Sequence, residues 1–206
     1  MGGFVSYREY RDADFPALRD LLISIWGDAV FVPKKLICSM AEVDLRDCLS
    51  RSGFTRVAVL QGEPVGLILG SVTGASANLR RAKELARAKH SLKRQPGGRL
   101  MLWANEKYEN LCRELARTDA GPYPAELVLF VLRADCRGYG IGGRLFSEFE
   151  QNLKQKGIHR YFVSTDTMSN YGFYEHFGMR RAAVKHYGPK KFPKACMEFY
   201  IYDKQL

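Results

Sequence analysis

Between Glu126 and Gly157 the chain passes from an apolar strand through a glycine-rich turn into an amphipathic helix. This joint constrains the rest of the fold. Six apolar residues, Leu127 to Leu132, come first, and a polar joint follows from Arg133 to Cys136. Next stands Arg137-Gly138-Tyr139-Gly140-Ile141-Gly142-Gly143, and then Leu145, Phe146, Phe149, Leu153 and Ile158 recur at roughly helical spacing. Glycines let backbone N–H groups approach an anion closely, and a helix start adds the positive end of its dipole. A phosphate is the natural guest.

The spacing of these glycines excludes two common phosphate loops. The dinucleotide fingerprint G-x-G-x-x-G does not fit, and no Gly-Lys-Ser/Thr follows as a kinase-type P-loop requires. What fits is R-x-x-G-x-G, as Arg137-Gly138-Tyr139-Gly140-Ile141-Gly142. With a strand before it and a helix after it, this resembles the acyl-CoA-binding motif of the GNAT N-acetyltransferase superfamily. A second stretch agrees. Asn170-Tyr171-Gly172-Phe173-Tyr174-Glu175-His176-Phe177-Gly178-Met179 resembles the family's short helix with an aromatic-Tyr pair, closed by Gly and a large apolar residue. Gly178 suits the helix C-cap. The family often has Asn seven residues before this tyrosine and Ala four before it, where this chain has Thr167 and Asn170. That leaves the contribution of this turn to CoA binding open.

The length of 206 residues and an apolar fraction of 46% suit one domain with a filled core. A net charge of +10 fits nucleic acid, an acidic surface or a polyanionic cofactor such as CoA. The five cysteines form no C-x-x-C pair, which argues against a disulfide framework or zinc site and for a reducing, cytoplasmic home. No apolar run reaches the length of a membrane span and no secretory signal is recognisable, so no membrane association is expected.

Phe4 to Tyr10 alternates like an edge strand. Asp12 or Asp14 can cap a helix with Phe15, Leu18, Leu22 and Ile25 on one face and Pro16 in its first turn. Val30 to Leu49 reads as a second helix. Thr55 to Leu60 and Pro64 to Val72 flank Gln61-Gly62-Glu63 as a hairpin. After the central motif, His159 to Thr165 gives a further strand. Arg180 to Tyr187 and Ala195 to Tyr202 form a closing hairpin, whose joining loop often lies near the acceptor in the family.

Ala75 to Pro124 stands apart. Leu79, Ala82, Leu85, Ala86 and Leu92 predict a helix with a narrow apolar stripe among eight Lys and Arg residues, Arg80 to Arg99. Gln95-Pro96-Gly97-Gly98 breaks the chain. Leu100, Ala104, Tyr108, Leu111, Cys112 and Leu115 predict a second helix. The expectation is a helical hairpin, 75–124, inserted between two strands of a single domain, 1–206. The basic face can be a solvated surface, a lid or partner surface, or a phosphate contact. Nucleic acid is the weakest of these, because no aromatic residue for stacking lies between Leu79 and Arg99.

The resemblance implies an α/β fold: a mixed, mostly antiparallel sheet flanked by helices, with the hairpin inserted. It implies an enzyme that moves an acetyl group from acetyl-CoA to a small-molecule or peptide amine by direct attack in a ternary complex. A homodimer is also within the family's habits. The pantetheine arm would pair with backbone near Phe130 and Leu132. The pyrophosphate would lie on the N–H groups of Arg137, Gly138, Tyr139, Gly140, Ile141 and Gly142, with Asn170 nearby. Tyr174 would protonate the leaving thiolate, a phenol being matched in basicity to a thiol. Glu126 would be the base. Period-two alternation puts it on one face with Val128, Phe130 and Leu132. Glu106, Glu109 or a water could serve instead. Cys136, just before the loop, is a candidate for oxidation or modification. No metal is called for. The competing class is a non-catalytic acyl-CoA-binding or regulatory module whose basic insert binds a macromolecule.

Overall fold

The computed structural model describes residues 4–26, 32–74, 78–118, 122–188 and 197–206. Its frame is a seven-stranded sheet: β1 (Val5–Arg8), β2 (Phe54–Leu60), β3 (Glu63–Val72), β4 (Ala125–Leu132), β5 (Arg160–Asp166), β6 (Arg180–Tyr187) and β7 (Met197–Gln205). The order is β1-β2-β3-β4-β5-β7-β6, and every neighbouring pair is antiparallel except β4 with β5. The helices are α1 (Phe15–Trp26), α2 (Lys34–Arg51), α3 (Leu79–Lys93), α4 (Gly98–Thr118), α5 (Ile141–Gln155) and α6 (Gly172–His176).

Strand alternation sorts these helices into two layers. Leu145, Phe146, Phe149 and Leu153 of α5 pack with Ile68, Leu127, Tyr161 and Tyr202 on one face, where Tyr174 of α6 joins them. On the other face α1 and α2 cover β2 to β4 through Leu18, Leu22, Leu45, Val57, Leu67 and Val131. The same face of β5, β6 and β7 is covered by α4, through Cys112, Leu115 and Ala116 against Ala183, Phe199 and Ile201. Two helix-covered halves therefore meet over the β4–β5 boundary.

That boundary is open. A single ladder pair, Glu126 with Phe162, joins β4 to β5. On its other side β4 pairs with β3 along its whole length, but with a bulge: Leu129 faces Leu69, Leu127 faces Gly70, and Val128 is the extra residue. The bulge reverses the alternation. Leu127 lies on the α5 face with Phe130 and Leu132, while Val128, Leu129 and Val131 pack toward α1 and α2. Glu126 next to Leu127 therefore points the other way, toward α2. The expectation that it shares a face with Phe130 and Leu132 is overturned.

The basic helix and its partner form as expected between β3 and β4, and their neck is clipped. The Thr73 N–H donates to the Pro124 carbonyl at 2.9 Å and its hydroxyl to the Tyr123 carbonyl at 2.8 Å. The buried stripe of α3 is not the predicted one. Leu85, Ala88 and Leu92 pack on Leu36, Met40 and Val43 of α2, while Leu79 is 77% exposed and Ala82 and Ala86 face solvent. In α4 Leu100 and Ala104 are exposed, and Met101 and Leu102 pack instead. Arg80 pairs with Asp12 and Glu84, Arg81 donates to the Leu49 carbonyl, and Lys89 meets Asp47 at 3.5 Å. Part of the basic surface is thus tied to neighbouring elements.

Smaller differences lie at element ends. The first strand stops at Arg8, and Phe4 is exposed. Asp14 caps no helix by itself. It accepts both guanidinium nitrogens of Arg8 at 2.7 Å and the Arg11 N–H at 2.8 Å. The second helix begins at Lys34 and runs on to Arg51. Val30, Ala195 and the loop residues 189–193 lie outside the described residues. The hairpin turn fits its sequence: Gln61 and Gly62 both take positive φ, 53° and 86°, as a tight two-residue turn requires.

Gly70 opposite the bulge is fixed by packing. A Cβ there would sit 2.3 Å from the Phe149 ring, which is fully buried and packed edge-on to Tyr161. Gly70→Ala should lower stability by about 3 kcal/mol, the upper end for overpacking. A loss below about 0.5 kcal/mol in urea unfolding would show that the ring has room to move.

Candidate functional site

The glycine-rich loop forms the floor of the site. After a short 3₁₀ turn at Ala134–Cys136, Gly138 and Gly140 take left-handed φ of 81° and 76°. The Arg137 N–H is already taken by the Ala134 carbonyl at 3.2 Å, and the first α5 backbone bond runs from the Arg144 N–H to the Gly140 carbonyl at 3.0 Å. Among the described residues, the N–H groups of Gly138 through Gly143 have no acceptor in the protein. The free amides thus run one residue further than expected, and Arg137 has only its exposed side chain to offer. Gly142 is held close: a Cβ there would meet Phe130 at 3.2 Å. A row of free amides at the start of a 15-residue helix fits a pyrophosphate.

Above this floor a cavity of about 1550 Å³ follows the opening between β4 and β5. Phe130, Leu132, Arg137, Gly138, Gly140, Gly142, Asn170, Glu126 and Tyr174 all line it. Tyr139 and Ile141 do not: Tyr139 is exposed and Ile141 is buried in the α5 core, so each offers only backbone. Gly143 and Phe173, which belong to the two sequence motifs but were not expected as contacts, also line the cavity. Phe173 stacks on Phe130 at 4.7 Å between ring centroids, closing the wall above the loop. Because β4 has lost its ladder with β5 beyond Glu126, the β5-facing backbone edge of Phe130 to Leu132 is left for a bound chain to pair with.

Tyr174 is 9% exposed and packs against Phe173 and Tyr202. Burial raises its pKa, and the charge of Asp166 raises it further. Asp166 is itself anchored, accepting the Tyr108 hydroxyl of α4 at 2.8 Å and the Met168 N–H at 2.8 Å. The Tyr174 hydroxyl has no protein partner among the described residues. It is a protonated phenol facing a cavity.

The far wall is built by α2 and α4. Asp44, Asp47, Cys48 and Arg51 face it from α2, and Asn105, Tyr108, Glu109 and Cys112 from α4. Glu126 stands at its base, with both carboxylate oxygens held by one Arg51 nitrogen at 2.8 and 3.0 Å. Glu106 lines no part of the cavity, whereas Glu109 does. Burial pushes the Cys48 thiol up, and the Cys112 thiol up to about 12, so both stay protonated. Cys136 is 1% exposed and its pKa is also raised by burial, so the reactive thiol suggested by its position is a core residue. Among the described residues no three His, Cys, Asp or Glu side chains gather to hold a metal ion, and no helix is long and apolar enough to cross a membrane.

This architecture is that of solved acetyltransferases. The ribosomal-protein-S18-alanine N-acetyltransferase of Escherichia coli matches with a TM-score of 0.55 at 12% identity, covering 98% of this chain and 94% of its own. An N-acetyltransferase of Staphylococcus aureus Mu50 matches with 0.54 at 12%, covering 98% of each chain. The PaiA N-acetyltransferase of Thermoplasma acidophilum, solved with coenzyme A, matches with 0.54 at 12%, covering 98% and 99%. At such identities the likeness shows the fold. No curated protein matches the sequence. The model of the acetyltransferase (GNAT) family matches residues 16–179, and the chain belongs to that family.

Proposed function

We propose that this protein is an N-acetyltransferase that moves an acetyl group from acetyl-CoA to an amine by direct attack, with both substrates bound together. One observation carries the reading: the loop residues Gly138, Gly140, Gly142 and Gly143 with their free amides, the opened edge of β4 and Tyr174 all line one cavity. Bound acetyl-CoA supplies an activated thioester carbonyl. The loop amides hold the pyrophosphate, and the backbone of Phe130 to Leu132 holds the pantetheine arm. These contacts fix the reacting carbon, which removes much of the entropic barrier. The N–C bond forms as the C–S bond breaks. The amine loses a proton to a carboxylate or a water on the α2–α4 side, and Tyr174 gives one to the sulfur. Asn170 borders the cavity near the loop and is a candidate contact to the cofactor.

Glu126 remains a candidate base. Its pairing with Arg51 ties up both oxygens. It would therefore act more readily through a water than by direct contact. The test is CoA release from acetyl-CoA over a panel of amines, read with a thiol reagent. Amine-dependent release above the hydrolysis background is expected. Calorimetric binding of acetyl-CoA with no release for any amine would favour a non-catalytic acyl-CoA-binding module instead.

A further inference from the structure

The α2–α4 wall concentrates negative charge in a protein whose net charge is +10. Four carboxyl groups face the cavity there: Asp44 and Asp47 from α2, Glu109 from α4 and Glu126 from β4. Two are paired. Arg51 takes Glu126 at 2.8 Å and Asp47 at 3.4 Å, and Lys89 of α3 reaches Asp47 at 3.5 Å. Asp44 and Glu109 have neither an ion-pair nor a hydrogen-bond partner among the described residues. Both are half-buried and sit on the facing helices of the wall. Half-buried carboxylates without a partner are costly to keep ionised, so such a pair stays in place most readily where a cation completes it.

We infer that Asp44 and Glu109 form the acceptor's recognition site, and that the acceptor is an amine bearing a second positive charge, a diamine or similar dication. This rests on the acetyltransferase reading of the cavity. The distal ammonium lies between α2 and α4, while the reacting amine points to the opening beside β4, where it can lose its proton and attack. An amine with a neutral or anionic far end would leave the two carboxyls unpaired.

The ionisation of Asp44 agrees with a cation seat. Its pKa is pushed up to about 8, by burial first and then by the charges of Glu109 and Asp47, with Lys89 and Arg51 pulling the other way. Glu109 is also raised by burial, against the pull of Arg51 and Arg113. The groups acting on Asp44 are Asp47, Cys48 and Arg51 on its own helix, Lys89 on α3 and Glu109 on α4, and Glu126 on β4 lines the same cavity. Before an amine binds, Asp44 is then mostly protonated at pH 7. A bound ammonium ionises it and releases a proton, so dication affinity should rise between about pH 6.5 and 8.5, until the amines themselves deprotonate near pH 10.

The test uses the full chain and three amines of matched length: 1,4-diaminobutane, 4-amino-1-butanol and butylamine. Binding is measured by calorimetry at fixed ionic strength in two buffers of different ionisation enthalpy, beside acetyl-CoA as the control ligand. 1,4-Diaminobutane should bind at least about tenfold tighter than either monoamine. Asp44→Asn and Glu109→Gln should each weaken it about ten- to a hundredfold, the size of a hydrogen bond to a charged group, and leave acetyl-CoA affinity unchanged. Buffer-dependent proton release should vanish in Asp44→Asn, a change that loss of packing would not produce. Equal affinity for the three amines, or undetectable diamine binding by a protein that binds acetyl-CoA, overturns the inference. Failure to bind acetyl-CoA itself would strike the acetyltransferase reading instead, and diamine binding would still decide the charge of the site.

Discussion

Gly140→Val should give a folded protein that no longer binds acetyl-CoA detectably. Gly140 takes φ of 76° as the residue before α5, a conformation that costs a β-branched L residue about 1–2 kcal/mol. A Cβ at this position meets no protein atom within 4 Å, so nothing in the core must move to admit it. Gly140 lines the cavity, within the run of free amides from Gly138 to Gly143. A valine there either blocks the approach of an anion or drives the loop out of the left-handed conformation that aims those amides. Gly62→Val is the matched control. It has φ of 86° and equally open space, but sits in the β2–β3 hairpin turn away from the cavity. Both variants should lose similar thermal stability, and only Gly140→Val should lose acetyl-CoA in calorimetry. Unchanged affinity in a folded Gly140→Val protein would remove the loop from the cofactor site.

The parts of this site that the sequence revealed are those in which chemistry and contiguity coincide. A strand, a loop and a helix joined within one stretch carry their own geometry: glycines in the loop, an apolar stripe on the helix, and a phosphate site at the junction. The same holds for α6, where Gly178 ends the helix at φ of 72° as its position suggests. What stayed hidden depends on partners distant in the chain. The bulge at Val128 arises from how β4 pairs with Gly70 and its neighbours, and nothing in the run Leu127 to Leu132 announces it. That one extra residue inverted the predicted direction of Glu126. In α3 the short side chains of Ala82, Ala86 and Ala88 let the apolar stripe be drawn in two phases. Contact with Leu36, Met40 and Val43 of α2 selects the one through Leu85, Ala88 and Leu92. The placing of Asp44 and Glu109 on one cavity wall has no local signature, because the helices that carry them meet only in the folded protein. Glu109 could be weighed as one acid among several, whereas nothing in the sequence around Asp44 singles it out.

Tyr174→Phe should lower kcat by about a hundredfold, a typical size for the loss of a positioned acid. The substitution is structurally mild. The Tyr174 hydroxyl holds no protein partner among the described residues, so its removal orphans no donor or acceptor, while the ring keeps its packing against Phe173 and Tyr202. Burial, and after it the charge of Asp166, keeps the wild-type phenol protonated through the neutral range, which is the state a thiolate needs. Negative charge reaches the sulfur only as the C–S bond breaks, so the lost proton should be missed in the transition state far more than in the bound substrates. The effect should therefore fall on kcat, with acetyl-CoA affinity held within a few-fold. The elevated phenol pKa also fixes the expected pH profile. Tyr174 should add no falling limb below pH 10, and any limb near pH 8 should belong to Asp44 and persist in Tyr174→Phe. The measurement needs an accepted amine and single-turnover conditions, so that chemistry rather than product release is read. If Tyr174→Phe turns over at the parental rate under those conditions, the phenol is a packing residue and water protonates the departing thiolate.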